Sequence, residues 1–249
     1  MEDEEESSKP KPKRETSARV PFVQRRFEDD GALGRWRSFV HWIRVRVAKQ
    51  KSETTVVMPR VSSELKGAGV LAFSFVGPDR EPFFLTGLDA WRRRHAFFSG
   101  SVTSTDVFFA RKGFDHETPL SDVIWNVAAQ TASREFFEET QGSVKFNVAK
   151  EMLPKRNYID IAQVLSSGKF SAAVVDEHSK SSFILFVKEI PFDARACSKL
   201  KPTKSSEIQA LEWCSLPRIL KLLRFNQIRP SCVDLLEVVI QLMFRLPTT

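Results

Sequence analysis

Cysteine is scarce in this chain, and the three present, Cys197, Cys214 and Cys232, are widely spaced with no Cys-x-x-Cys pair. That excludes a disulfide scaffold and a structural zinc cluster, and suits a reducing compartment. Four scattered histidines likewise show no metal-ligand spacing. No apolar run approaches the ~18–20 residues of a membrane span, so a transmembrane helix and a membrane partner are excluded. No internal repeat and no RNP1-like run is present. The start lacks the basic, then apolar, pattern of a secretory signal, and Glu2-Asp3-Glu4-Glu5-Glu6 is unlike a mitochondrial presequence. An intracellular, cytoplasmic protein is therefore expected. The short basic cluster Lys9–Arg14 leaves a nuclear or organellar site open.

What is present is enough for a sizeable core: 249 residues, 42% hydrophobic, with 21 Phe. That length fits one large domain or one domain with extensions. The net charge of +7 favours anionic partners such as nucleotides, RNA or acidic surfaces. Residues 1–30 are charged and poor in apolar side chains, and are expected to be a disordered tail. Residues 31–60 form a basic amphipathic extension. In it Trp36, Phe39, Val40, Trp42, Ile43, Val45 and Val47 alternate with arginines, and the stretch from Trp42 to Val47 has strand periodicity.

A domain is expected over 66–249. Gly67–Val76 and Pro82–Leu88 read as a hairpin around Gly77-Pro78-Asp79, and 107–113 (VFFARKG) as a third strand. A helix is predicted from Asp122 to Thr140, capped by Ser121 and ended by Gly142. Ile159–Val164, Phe170–Val175, Phe183–Ile190 and Ile208–Trp213 read as strands, and Leu216–Phe225 and Cys232–Leu246 as helices. This order predicts a mixed α/β fold with one core. Trp125, Trp213 and the phenylalanines Phe108, Phe109 and Phe114 are expected in that core. His116 reads as an exposed loop residue.

The informative segment is Arg134-Glu135-Phe136-Phe137-Glu138-Glu139-Thr140-Gln141-Gly142. On a helix, Glu135, Glu138 and Glu139 fall at i, i+3 and i+4 and share one face. Trp125, Ala129, Ala132 and Phe136 form a neighbouring stripe suited to burial. Three adjacent carboxylates repel one another unless neutralised, and Mg²⁺ takes oxygen ligands of this kind. A solvated acidic helix face is the other reading of the cluster.

The same segment resembles the second half of the Nudix box, G-x5-E-x7-R-E-U-x-E-E-x-G-U, where U is bulky and apolar. Ser205–Leu216 is similar to the later strand of that family. The resemblance spans roughly Lys66 to Leu246. It implies a Nudix-type α/β/α sandwich with a mixed sheet, and hydrolysis of a nucleoside diphosphate linked to another group X. Glu135, Glu138 and Glu139 would hold Mg²⁺ or Mn²⁺. Glu135 or Glu207 would activate water, and Arg134 would hold a carboxylate or loop carbonyl. The front half of the box departs from the pattern: its glycine and glutamate positions fall on Leu120 and Asn126. The nearest substitutes are Gly113 and Glu117, the latter a further metal ligand. Gln141 is inserted before Gly142, and one glycine stands where two are usual. The substrate is a free nucleotide or an RNA 5′ end, with RNA contacts through Arg92, Arg93, Arg94, Arg111 and Lys112. The alternative is a catalytically inactive Nudix-fold module that binds RNA or a protein complex.

Overall fold

The computed structural model describes residues 44–52, 55–56, 61, 64–112, 114–115, 117–146, 157–178 and 181–245. In chain order the strands are β1 (Arg44–Ser52), β2 (Thr55–Val56), β3 (Glu64–Val76), β4 (Glu81–Asp89), β5 (His95–Ala96) and β6 (Phe98–Ser101). Helices α1 (Ser104–Ala110), α2 (Leu120–Thr140) and α3 (Asn157–Ser166) follow. Then come β7 (Ala172–His178), β8 (Ser181–Glu189), α4 (Ala194–Lys199), β9 (Ile208–Ser215), α5 (Leu216–Arg224) and α6 (Pro230–Arg245). The tail expected over 1–30 lies outside the described residues. So does most of the 31–60 extension.

From Gly67 to Val76, β3 carries no charge, and Ala68, Val70, Leu71, Ala72 and Phe73 are buried. Such an unbroken apolar run belongs to a strand covered on both faces. β8 runs parallel to it, from Glu64↔Ser181 to Phe73↔Glu189. The sheet continues through β7, β1 and β2 on that side. The other edge of β3 is shared. β4 pairs with its last four residues, and β6 pairs antiparallel with Gly67–Val70. Beyond Phe84, β4 leaves β3 and pairs with β5, while its far edge carries β9. β3 and β4 thus splay apart, and β5 and β6 enter between them.

Two helical layers cover the sheet, giving an α/β/α sandwich. On one face Val123, Ala129, Ala132 and Phe136 of α2 and Ile161 and Leu165 of α3 pack on Ala68, Val70, Leu85 and Phe98. On the other, Ile219 and Leu222 of α5 and Leu235, Leu236 and Val239 of α6 pack on Leu71, Phe73, Phe84 and Leu185. Phe136 is fully buried, edge-on to Phe98 and Phe146 at 5.0 and 5.2 Å. Among the described residues no helix is long and apolar enough to cross a membrane.

Two expected strands are helices. Within 107–113, residues up to Ala110 belong to α1, because Thr103 and Asp106 form a reciprocal capping box that starts a helix there. Ile159–Val164 lies in α3. Ile161, Ala162 and Leu165 are buried at i, i+1 and i+4, a helical stripe that so short an apolar run does not reveal. β5, β6 and α4 had no sequence signal strong enough to mark them. α2 begins at Leu120 with Pro119 in the cap position, not Ser121. It ends as the sequence predicts. Gln141 and Gly142 are left-handed (φ 51° and 64°), and the Gly142 N–H donates to the Phe137 carbonyl. The inserted Gln141 also ties the helix end to a distant loop, since its side-chain amide exchanges two hydrogen bonds with the Lys201 backbone.

Candidate metal centre and active site

The last two turns of α2 bring Arg134, Glu135, Glu138 and Glu139 beside β6. Arg134 is held first. Its Nε and Nη2 donate to the two carboxylate oxygens of Asp106 at 3.0 and 3.1 Å, and Nη2 also donates to the Ser101 carbonyl. Nη1 then reaches Glu135 at 2.6 Å and Glu138 at 3.2 Å. Asp106 is buried and also accepts from the Thr103 N–H and the Thr131 hydroxyl. Burial pushes the Asp106 carboxyl up, but the Arg134 and Thr103 hydrogen bonds more than reverse this and hold it below the ordinary range. A bidentate guanidinium–carboxylate pair fixes direction as well as charge.

Two of the glutamates are held largely away from water. Glu139 is only 8% exposed, and the Ser99 N–H donates to its Oε2 at 3.0 Å. Burial, then the negative charges of Glu207 and Glu135, push its carboxyl well above the usual carboxylate range. Burial also raises Glu135, against the pull of Arg134, and Glu138 and Glu207 add to the rise. Glu138 reaches solvent, with its side chain 57% exposed. Gly100 makes room for this packing. A Cβ there would meet the Glu135 carboxylate and push that side chain aside.

A second arginine lies beside Glu207. Arg229, just before α6, donates through Nη2 to buried Asp89 at 2.6 Å and to Glu207 at 3.1 Å. Asp89 Oδ1 accepts the Trp91 and Arg92 N–H groups and so shapes the β4–β5 turn. Burial raises the Asp89 carboxyl, and these bonds together bring it below its ordinary value. Asp89, Trp91, Arg92, Arg229, Pro230 and Ser231 line a hollow of about 500 Å³. Trp91 is 80% exposed at its mouth.

The structure brings Glu135, Glu138 and Glu139 together with Glu207, and leaves Glu117 apart. Glu117 precedes the first turn of α2, whereas Glu138 lies in the last; 18 residues at 1.5 Å put the ends about 27 Å apart. No glutamate side chain spans that, so Glu117 is not a ligand of this cluster. It is exposed, and its N–H donates to Asp115. Gly113 and His116 lie outside the described residues. Asp106, in α1, holds Arg134 through two hydrogen bonds, and Gly100 of β6 lies against the Glu135 carboxylate.

Other expectations fare variously. Glu139 faces the protein interior rather than solvent. Phe108 and Phe114 are exposed rather than in the core, and Lys112 Nζ lies 4.7 Å from the Phe109 ring. Trp125 packs on the core against Phe186, and Trp213 stacks near Phe192. Arg92 lines the hollow, and Arg111 donates to the Thr118 carbonyl. Asp89, Asp106 and Arg229 were missed, because each takes its role from a partner distant in sequence.

No protein-family model and no curated protein matches the chain. In fold it is similar to solved Nudix domains. One is the NUDIX domain of Shewanella oneidensis NrtR complexed with ADP ribose: 10% identity and a TM-score of 0.36, covering 74% of this chain and 90% of that one. Another is a MutT/nudix family protein from Enterococcus faecalis: 9% identity and a TM-score of 0.29, covering 76% of this chain and 52% of that one.

Proposed function

We propose that the chain is a Nudix-type pyrophosphohydrolase acting on a nucleoside diphosphate linked to a group X. The observation that carries this reading is the grouping of Glu135, Glu138 and Glu139 with Glu207 near enough to act on their charge, and with Arg134 locked by Asp106. Glu135, Glu138 and Glu139 would hold Mg²⁺ or Mn²⁺. The donor set fits: oxygens only, and a buried Glu139 whose surroundings are largely anionic. When bound, such a cation supplies positive charge to the pyrophosphate oxygens. Glu207 is the group to orient the attacking water and accept its proton. Arg229 and Arg92 offer positive charge to the remaining phosphate oxygens, and exposed Trp91 offers a face for a base. Arg134 positions Glu135 and Glu138 and takes no proton.

The test is calorimetric titration of the full chain with Mg²⁺ and Mn²⁺, wild type beside Glu138→Gln/Glu139→Gln. A phosphate-release screen follows over nucleotide sugars, dinucleoside polyphosphates, coenzymes and capped or 5′-triphosphate RNA. ADP-ribose, the ligand of the NrtR structure, comes first. Cation binding that the double variant loses, together with turnover, supports the reading. Absence of both overturns it in favour of a non-catalytic module.

A further inference from the structure

On the α5/α6 side of the sheet, the ends of β4, β5 and β9 bring together a different donor set. His95, Glu212 and Cys214 each place one ligand atom within 4.8 Å of the others. His95 and Cys214 are buried, and Glu212 reaches solvent. Thr86 stands among them. Its Oγ1 lies 2.9 Å from His95 Nδ1, 3.4 Å from Cys214 Sγ and 3.3 Å from the Glu212 main-chain carbonyl. The carbonyl can only accept, whereas the Thr86 hydroxyl can donate to His95 Nδ1 or accept from Nδ1–H. In the tautomer with Nδ1–H donating to Thr86 Oγ1, the neutral ring presents a lone pair at Nε2.

Nε2 lies 3.5 Å from Glu212 Oε2. In that tautomer both atoms are acceptors, and a cation between them satisfies both. Arg218 donates to the other Glu212 oxygen, Oε1, at 3.1 Å, and Oε2 is turned to His95.

We propose that His95 Nε2, Glu212 Oε2 and Cys214 Sγ bind a borderline-soft divalent cation of the Zn²⁺ class, at a site separate from the carboxylate cluster of α2. The spacing fits: tetrahedral Zn–N and Zn–O bonds of ~2.1 Å set their ligand atoms about 3.4 Å apart. Thr86 supplies the outer hydrogen bond that fixes the histidine tautomer and ring, as partners of metal-bound histidines do. Three protein ligands leave a fourth position for water, on the side where Glu212 meets solvent. A metal binds the thiolate, so ligation at Cys214 releases one proton per cation bound.

Co²⁺ added to the metal-stripped full chain tests this. Expected is a one-to-one, near-ultraviolet thiolate-to-cobalt charge-transfer band, abolished by excess Zn²⁺. Cys214→Ser should lose it, and Glu212→Gln should weaken it at least tenfold in Co²⁺ affinity. Glu138→Gln/Glu139→Gln should keep it. Glu212 meets solvent, so its variant folds even if the buried Cys214→Ser does not; circular dichroism checks both. Co²⁺ binding without the band, a band untouched by Glu212→Gln, or a band lost in the α2 double variant overturns the proposal. None of these outcomes depends on hydrolase activity.

Discussion

Two arginines stand beside the clustered glutamates, and they are held differently. Arg134 spends two nitrogens on Asp106 and one of these again on the Ser101 carbonyl; its third touches Glu135 and Glu138. Arg229 meets both Asp89 and Glu207 through the single nitrogen Nη2. The aspartates differ in the same sense. Asp106 accepts from Arg134, Thr103 and Thr131, tying β6, α1 and α2 together. Asp89 accepts from Arg229 and from its own turn. One pair is a fixed brace behind the acidic helix. The other leaves its guanidinium facing a hollow that a ligand can fill.

The largest expected effect falls on the brace. Asp106→Ala removes one partner of a nearly buried, bidentate ion pair and leaves the Thr103 and Thr131 donors short of an acceptor. It should destabilise by about 3–5 kcal/mol, read by urea unfolding. Asp89→Ala removes fewer partners and should cost about 1–3 kcal/mol. Equal losses, or the reverse order, would break the distinction between brace and open arm. Asp106→Asn keeps the shape and loses the charge. It should weaken Mg²⁺ binding at the cluster about 10–100-fold, because an outer partner orients the carboxylates.

A pH series separates the aspartates from the glutamates they support. The folded chain lowers the Asp106 and Asp89 carboxyls, so their contribution is present above the unfolded value and lost as pH falls. Glu139 is raised. The folded state then binds more protons than the unfolded one, and stability falls as pH rises from the ordinary carboxylate range towards the raised value. Glu139→Gln removes that loss, and its carbonyl can still accept the Ser99 N–H. In chelator at pH 8 the variant should melt higher than wild type, by about 2–4 °C for each ~1 kcal/mol gained. At pH 4 the two should coincide. Saturating Mg²⁺ should close the gap at pH 8. A Glu139→Gln variant less stable than wild type at pH 8 would show that the carboxylate is not strained by burial.

This division explains what was legible in the sequence. Glu135, Glu138, Glu139 and Gly142 stand within two helical turns, so their spacing alone put the acids on one face and the helix end in place. The buried stripe of Ala129, Ala132 and Phe136 was legible for the same reason. Asp106 was not. It stands in a separate short helix, far along the chain from Arg134 and Thr131, and VFFARKG reads as a strand when the Thr103 cap is overlooked. Asp89 with Arg229, and His95 with Glu212 and Cys214, are pairings made by the splay of β4 from β3. No local pattern announces them.

The smallest effect on stability belongs to Trp91, and it sharpens the comparison most. An exposed side chain on a turn held by Asp89 contributes little to folding, so Trp91→Ala should change stability by no more than about 0.5 kcal/mol. If the hollow beside Arg229 receives a base, stacking there is worth about 1–3 kcal/mol, a loss of roughly 5–150-fold in affinity. Phe108→Ala is the matched control, since Phe108 is also exposed but belongs to α1, on the brace side. Calorimetry with ADP-ribose, or with the best substrate of the screen, should show the loss for Trp91→Ala alone. Equal affinity in both variants would place the base elsewhere and leave the hollow to phosphate. Equal loss in both would mean that the brace side and the hollow act on the ligand as one.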